Sequence, residues 1–432
     1  RPLRRLTPPV ILYNLFPLLA GPLHRWEPHL DRARALGFNW LFLNPIQLPG
    51  ASGSLYSIAD YFRFNPRLLN PADPAPPETQ IQRLAARARE RGLRLMIDLV
   101  INHCAIDSPL IREHPQWFVR QPDGRPAHPS CQHHDQTVVW TDLAQFDHQH
   151  PRDPEGFYRY CRRVVDALLA LGFDGFRCDA AYQIPRPFWQ RLIHDTRQRH
   201  PHACFAAETL GCSPAQTLET ARAGFDYVFN SSKWWDFHGC WLLEQYNLIR
   251  EITRSISFPE SHDTPRLAAE LNGNPHALKQ RYLFAALFAA GVMMPIGFEF
   301  GFRKPLHVVN SQPADWEPVH VDLSDFITRV NHLKLQHPVF REESPASILP
   351  TDNPNILLLW KASVQHPQEA LLILNQDPHH HQDFHTDHFR RFIQSGAPLR
   401  DVSPEYPLDY LPEPFHYALR PGQGIVLVTT RS

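Results

Sequence analysis

Arg177 and Asp179 stand two positions apart in the apolar run GFDGFRCDAAY, residues 172–182. Along a strand that spacing turns both side chains to one face and leaves Phe176 and Cys178 on the other. A guanidinium beside a carboxylate favours the anion, which is the state a nucleophile needs. Glu208 follows the apolar triplet FAA in HACFAAETL, 202–210. There, desolvation and neighbouring carboxylates are expected to raise its pKa and keep a proton available. Asp263 follows His262 in ISFPESHD, 256–263, and suits the task of holding sugar hydroxyls while stabilising developing charge. One ionised acid, one protonated acid and one fixed negative charge are the set required for glycoside transfer through an oxocarbenium-like transition state.

These acids need a scaffold that brings them together. Short apolar runs at 11–17, 39–46, 93–103, 172–181, 202–210, 225–232, 256–263 and 291–300 read as buried strands. Helical periodicity occupies 24–36, 79–91, 155–171, 186–199, 214–222, 237–253 and 276–290. Apolar strands alternating with helices predict a parallel sheet covered on both faces, and eight of them predict a closed (β/α)8 TIM barrel. The doubly wound open sheet is the runner-up, but no strand leads into a glycine-rich phosphate loop. In a barrel, reacting groups come from the C-terminal strand ends. Asp98, Asn102, His103, Arg177, Asp179, Glu208, His262, Asp263 and Glu299 all fall there.

The barrel is expected from 1–103 and 151–339, interrupted by a small excursion domain at 104–150 that is rich in Pro, His, Asp and Gln. Residues 340–432 read as an antiparallel β domain, with strands at 355–361, 369–377 and 424–431. A formal charge of -1 gives no support to a nucleic-acid or anionic-membrane partner. No apolar run is long enough to span a bilayer. Seven cysteines, with no C-x-x-C pair, indicate neither a disulfide scaffold nor a zinc knuckle; a reducing cytoplasm is expected.

DLVINH (98–103), GFRCD (175–179), Glu208 and SHD (261–263) resemble the four short motifs of the α-amylase family, glycoside hydrolase family 13. The resemblance implies a retaining mechanism on α-glucosidic bonds, with Asp179 as nucleophile, Glu208 as acid/base and Asp263 as transition-state stabiliser. It implies substrate or nucleophile contacts for His103, Arg177 and His262. LYSIADY (55–61) is similar to the family's segment after the second strand, which would make Tyr56 a sugar-stacking platform and Asp60 its supporting acid. The insert resembles the family's domain B, and the C-terminal region its β-sandwich. The expected substrate is an α-glucan or maltooligosaccharide.

The sequence departs from the pattern on the acceptor side. Ala181 and Tyr182 stand where many amylases place Lys-His, and Ser261 replaces the usual asparagine. Tyr182 and Leu210 would offer an acceptor sugar an apolar surface, favouring transglycosylation beside hydrolysis. GFEFG (297–301) is similar to the corresponding stretch of bacterial maltosyltransferases that use maltose 1-phosphate, so transfer from an activated donor is a second reading. A non-catalytic carbohydrate-binding barrel is a third. In SSKWWDF (231–237) only one of Trp234 and Trp235 can face a ligand, and Trp235 is taken as the contact. Trp117, Phe118 and Trp140 are candidates to roof the cleft. No cofactor and no metal are assigned. Calcium is raised only by the family likeness, through Asn102 and Asp142, and the His-rich DPHHHQDFHTDH (377–388) has no metal-site spacing and reads as a loop.

Overall fold

The computed structural model describes residues 8–430. Eight parallel strands close into a barrel: β1 (Ile11–Leu15), β2 (Trp40–Leu43), β3 (Arg94–Leu99), β4 (Gly175–Cys178), β5 (Cys204–Ala207), β6 (Tyr227–Phe229), β7 (Arg254–Ser257) and β8 (Gly291–Pro295). Each expected strand is present and shorter than its apolar run, and β7 begins two residues before its expected start and ends at Ser257. Eight helices cover the barrel: α1 (Glu27–Ala35), α2 (Pro77–Glu90), α3 (Pro154–Ala170), α4 (Arg186–Arg199), α5 (Pro214–Ala221), α6 (Trp241–Ile249), α7 (Pro275–Phe288) and α8 (Ser324–Gln336).

Side-chain alternation decides what the barrel encloses. Leu12, Phe42, Met96 and Ala206 belong to the apolar cluster inside it. Two residues further along the same strands, and therefore on the same face, come Asn14, Asn44, Asp98 and Glu208. The interior thus changes from apolar to polar at the C-terminal end. Phe176 and Cys178 of β4 face the helices instead, as the spacing of Arg177 and Asp179 requires. Gly175 allows β4 to approach β5 closely, because a Cβ there would lie 2.7 Å from the Cys204 carbonyl oxygen.

The apolar run at 93–103 is divided. β3 stops at Leu99, and His103 opens a new strand, His103–Ala105, paired antiparallel with Leu143–Gln145 in the insert. The insert also carries an exposed hairpin, Ser130–His133 with Gln136–Val139.

α8 is the element that periodicity misses. Its buried face includes Asn331 and Lys334 among Phe326, Ile327, Val330 and Leu333. Asn331 accepts from the Tyr282 hydroxyl and donates to the Leu36 carbonyl. Lys334 donates to the carbonyls of Ala286, Ala289 and Phe340 at 2.6–2.7 Å. Lys361 reaches the adjacent carbonyls of Leu287 and Phe288. Two buried ammonium groups therefore satisfy the C-terminal carbonyls of α7, which no intrahelical amide can reach.

Lys361 comes from the C-terminal β-sandwich. There β9 (Ala346–Leu349), β10 (Ile356–Ala362), β11 (Glu369–Asn375), β13 (Leu399–Asp401) and β15 (Gly424–Thr429) form one antiparallel sheet, opposed by β12 (Gln382–Thr386) and β14 (Phe415–Leu419). Leu358, Ile373 and Leu427 pack with Phe384 and Phe415 between the sheets. Leu357, Leu372 and Val426, on the alternate face, join the core beneath the barrel helices. Part of the expected His-rich loop is thus strand β12. His380 pairs with Asp377 there, and among the described residues no group of three His, Cys, Asp or Glu could hold a metal ion.

Candidate active site

The register of β3 against β4 sets Arg177 beside Asp98. One guanidinium nitrogen, Nη1, donates to Asp98 Oδ1 and to Asp179 Oδ1, both at 2.7 Å. Arg177 and Asp98 are buried, while the Asp179 side chain keeps 16% of its surface open. The nucleophile candidate is thus anchored through one oxygen by a short charge-assisted bond. Burial pushes Asp98 up to about 6 against the pull of Arg177.

Glu208 is tied to the same strand end. Its Oε2 accepts from the Ala180 amide at 2.9 Å and its Oε1 from the Leu210 amide at 2.7 Å. Ala180 adopts φ 44°, the left-handed conformation that is costly for a residue with a Cβ. That twist aims the amide following Asp179 at Glu208. Desolvation raises the Glu208 pKa to about 7, Arg177 opposes the rise and the Asp179 charge adds to it. The two carboxyl groups differ as the sequence requires: one ion-paired, the other holding a proton near neutrality.

Tyr56 lies flat against His262, with ring centroids 5.4 Å apart and planes within 8°. Its hydroxyl donates to Asp98 Oδ2 at 2.6 Å, accepts from Asn44 Nδ2 at 2.9 Å and meets His262 Nε2 at 2.9 Å. Asn44 is held in turn by Asn14 at 2.9 Å. His262 Nε2 lies 3.2 Å from Asp263, whose side chain is 69% exposed. Burial opposes the imidazolium, but Asp263 outweighs it and lifts the His262 pKa. Desolvation works against the Asp263 charge, and His262 with Arg177 overcomes it, bringing that carboxyl to about 2. His103 is buried beside Asp179, and burial lowers its pKa. Neither of its ring nitrogens has a partner among the described residues.

Several expected contacts lie elsewhere. Asp60 accepts from the Phe62 amide in a local turn, and Tyr56 is supported by Asp98 and Asn44 instead. Trp235 is fully buried, with its Nε1 on the His238 carbonyl and its ring against Phe237 and Phe284. It is a core residue, and its neighbour Trp234 is the exposed one. Trp117 and Phe118 are also buried, leaving Trp140 exposed. Glu299 bonds Tyr13 and Arg32 in the layer between barrel and helices. Asn102 donates through Nδ2 to Gln183, and Asp142 accepts from Ser52. Tyr182 is half-buried in the field of Glu208, which together with the larger effect of desolvation raises its pKa. Asn14 and Asn44 were absent from the sequence reading. The signal for them was their place two residues beyond interior apolar positions.

A family model described as the glucanotransferase domain of glycogen debranching enzyme matches residues 10–119. An α-1,4-glucan:maltose-1-phosphate maltosyltransferase of Burkholderia pseudomallei is 28% identical over 383 residues, which cover 85% of this chain and 33% of the relative. The enzyme of that name from Arcanobacterium haemolyticum is 26% identical over 404 residues, 84% of this chain and 56% of the relative. The chain therefore spans between a third and just over half of these relatives. The likeness to the maltosyltransferases thus extends well beyond GFEFG. The α-amylase structure from H. orenii superposes with a TM-score of 0.79 at 15% identity, covering 98% of this chain and 100% of that one. With its closed barrel, C-terminal sandwich and acids at the strand ends, the chain has the fold of the solved α-amylases and resembles the α-amylase family, glycoside hydrolase family 13.

Proposed function

We propose that the chain is a retaining enzyme acting on α-glucosidic bonds of short or soluble α-glucans. The observation that carries this reading is the pairing of an ion-paired Asp179 with a Glu208 carboxyl held near pKa 7, joined through the Ala180 amide. In the first step an Asp179 carboxylate oxygen bonds to the anomeric carbon as the glycosidic C–O bond breaks. Glu208 gives its proton to the departing oxygen. In the second step Glu208 takes a proton from the incoming hydroxyl, whose oxygen displaces Asp179. Tyr56 stacks against the donor sugar, and His103, His262 and Asp263 bond its hydroxyls. The seven free cysteines suit a reducing cytoplasm.

The second reading, favoured by the maltosyltransferase relatives, is transfer from maltose 1-phosphate to a glucan. Both readings share the first half-reaction and differ in leaving group and acceptor. Incubation with maltotriose and with maltose 1-phosphate plus maltotetraose, followed by chromatography and anomeric NMR, separates them. Products longer than the acceptor establish transfer, and glucose or maltose alone establishes hydrolysis. A fluorinated glycosyl fluoride should leave an adduct on Asp179 detectable by mass spectrometry. Inverted products, or no turnover and no adduct with any donor, would reject the proposal and leave a carbohydrate-binding barrel.

A further inference from the structure

The chemistry above accounts for the donor sugar and offers the acceptor only the half-buried Tyr182 and Leu210. Trp234 has 52% of its surface exposed at the mouth of the barrel. It follows β6, while Tyr56 follows β2, four strands away in an eight-strand ring. The segments that carry the two rings therefore start on opposite sides of the mouth, with the Tyr56 ring reaching over its centre to His262 and Asp98. Glu208, on β5, is on the Trp234 side.

Trp234 rests edge-on against Phe258, with centroids 6.1 Å apart and planes at 89°. Phe258 and Phe229 belong to the interior cluster on which Leu210 also packs. Leu210 is the residue whose amide holds Glu208. One apolar cluster thus links Leu210, beside the acid/base, to Phe258 under the exposed indole.

The turn bearing Trp234 is fixed from below. The Ser232 amide donates to Asn230 Oδ1, and Asn230 Nδ2 donates to Ser255 and Ser257 on β7. Lys233 is paired with Glu270 at 3.1 Å, and its side chain is only 6% exposed. Trp235 anchors the following residue in the core. A large apolar ring left open on an anchored turn has the form of a recognition surface.

We propose that Trp234 is the stacking platform for the acceptor, a maltooligosaccharide whose C–H face lies on the indole. The inference rests on the glycosyl-transfer reading. Glu208 exchanges a proton with the oxygen that joins donor to acceptor, so the sugar beyond that oxygen extends from Glu208 away from Tyr56, towards β6. Holding it there favours attack by a sugar hydroxyl over water.

The test uses the full chain with α-maltosyl fluoride as donor and maltotetraose as acceptor, comparing the wild type with Trp234→Ala and Trp234→Phe. The ratio of transfer to hydrolysis is expected to fall about tenfold in the alanine variant, with a matching rise in acceptor KM, equivalent to about 1.4 kcal/mol. Phenylalanine should restore most of both. An unchanged ratio in Trp234→Ala overturns the inference while leaving the glycosyl-transfer reading intact. So does an equal loss of transfer and hydrolysis. Should the alanine variant not fold, Trp234→Leu against Trp234→Phe separates ring from bulk. A wild type that neither releases fluoride nor forms an adduct rejects the underlying reading, and this inference with it.

Discussion

Glu208 should impose an alkaline limit on kcat/KM that depends on the leaving group. Its pKa is raised from 4.5 to about 7, so the proton needed by a departing sugar is present below neutrality and lost above it. For an acid of pKa 7, roughly nine-tenths is protonated at pH 6 and roughly one-tenth at pH 8. With maltotriose, kcat/KM is therefore expected to fall about tenfold between those values. With α-maltosyl fluoride the fall should largely disappear, because fluoride leaves without a proton. Glu208→Gln should show the same contrast at fixed pH, losing about a thousandfold or more on maltotriose and far less on the fluoride. The assay is initial-rate measurement of both donors across pH 5–9, reading kcat/KM so that only the free enzyme and the first irreversible step contribute. A maltotriose limit near pH 4.5, or an identical limit with both donors, would refute the assignment of Glu208 as acid.

The same shift has a stability counterpart. Glu208 binds its proton more tightly folded than unfolded, so its contribution is fully present below pH 4.5 and is lost as pH rises through about 7. Glu208→Gln should therefore gain in Tm relative to the wild type between pH 5 and pH 8, and a constant difference by calorimetry would contradict this. Tyr56→Phe removes the donor to buried Asp98 and the acceptor for Asn44. It should cost about 1–3 kcal/mol in urea unfolding and raise KM for maltotriose, and wild-type values for both would disprove the role. Trp235→Ala should cost about 3–5 kcal/mol through cavity formation while the folded fraction keeps its transfer ratio, which separates it from Trp234. Lys334→Met leaves three buried carbonyls without a donor and should destabilise by about 3 kcal/mol or more, and an unchanged urea midpoint would be the contrary result.

The barrel was legible because its strands are buried on both faces and read as unbroken apolar runs. The catalytic candidates were legible because alternation fixes which residues share a face with Arg177. What escaped did so where burial and polarity coincide. α8 hides Asn331 and Lys334 on its apolar side, so its helical stripe is interrupted in sequence though continuous in space. Glu299 follows a strand end like the reacting acids and has the parity of interior Met293, yet the left-handed Gly297 and a 3-10 turn direct it to Tyr13 and Arg32 outside the barrel. Trp234 and Trp235 are chemically identical neighbours. Only the fold's choice of which indole fills the space beside Phe284 distinguishes them.

The lysine pair beneath α7 bears on how far the chain can be divided. Lys361 lies in the sandwich, yet the carbonyls it serves end a barrel helix. A protein ended before β10 would retain Lys334 but would leave the Leu287 and Phe288 carbonyls in an apolar layer without their donor. It would also lose Leu357, Leu372 and Val426 and so uncover the apolar surface of the barrel helices that they cover. The C-terminal sheet is thus a structural complement to the catalytic barrel rather than a detachable appendage. Domain exchange with a related barrel would succeed only if the incoming sheet brings an amine to the same helix end.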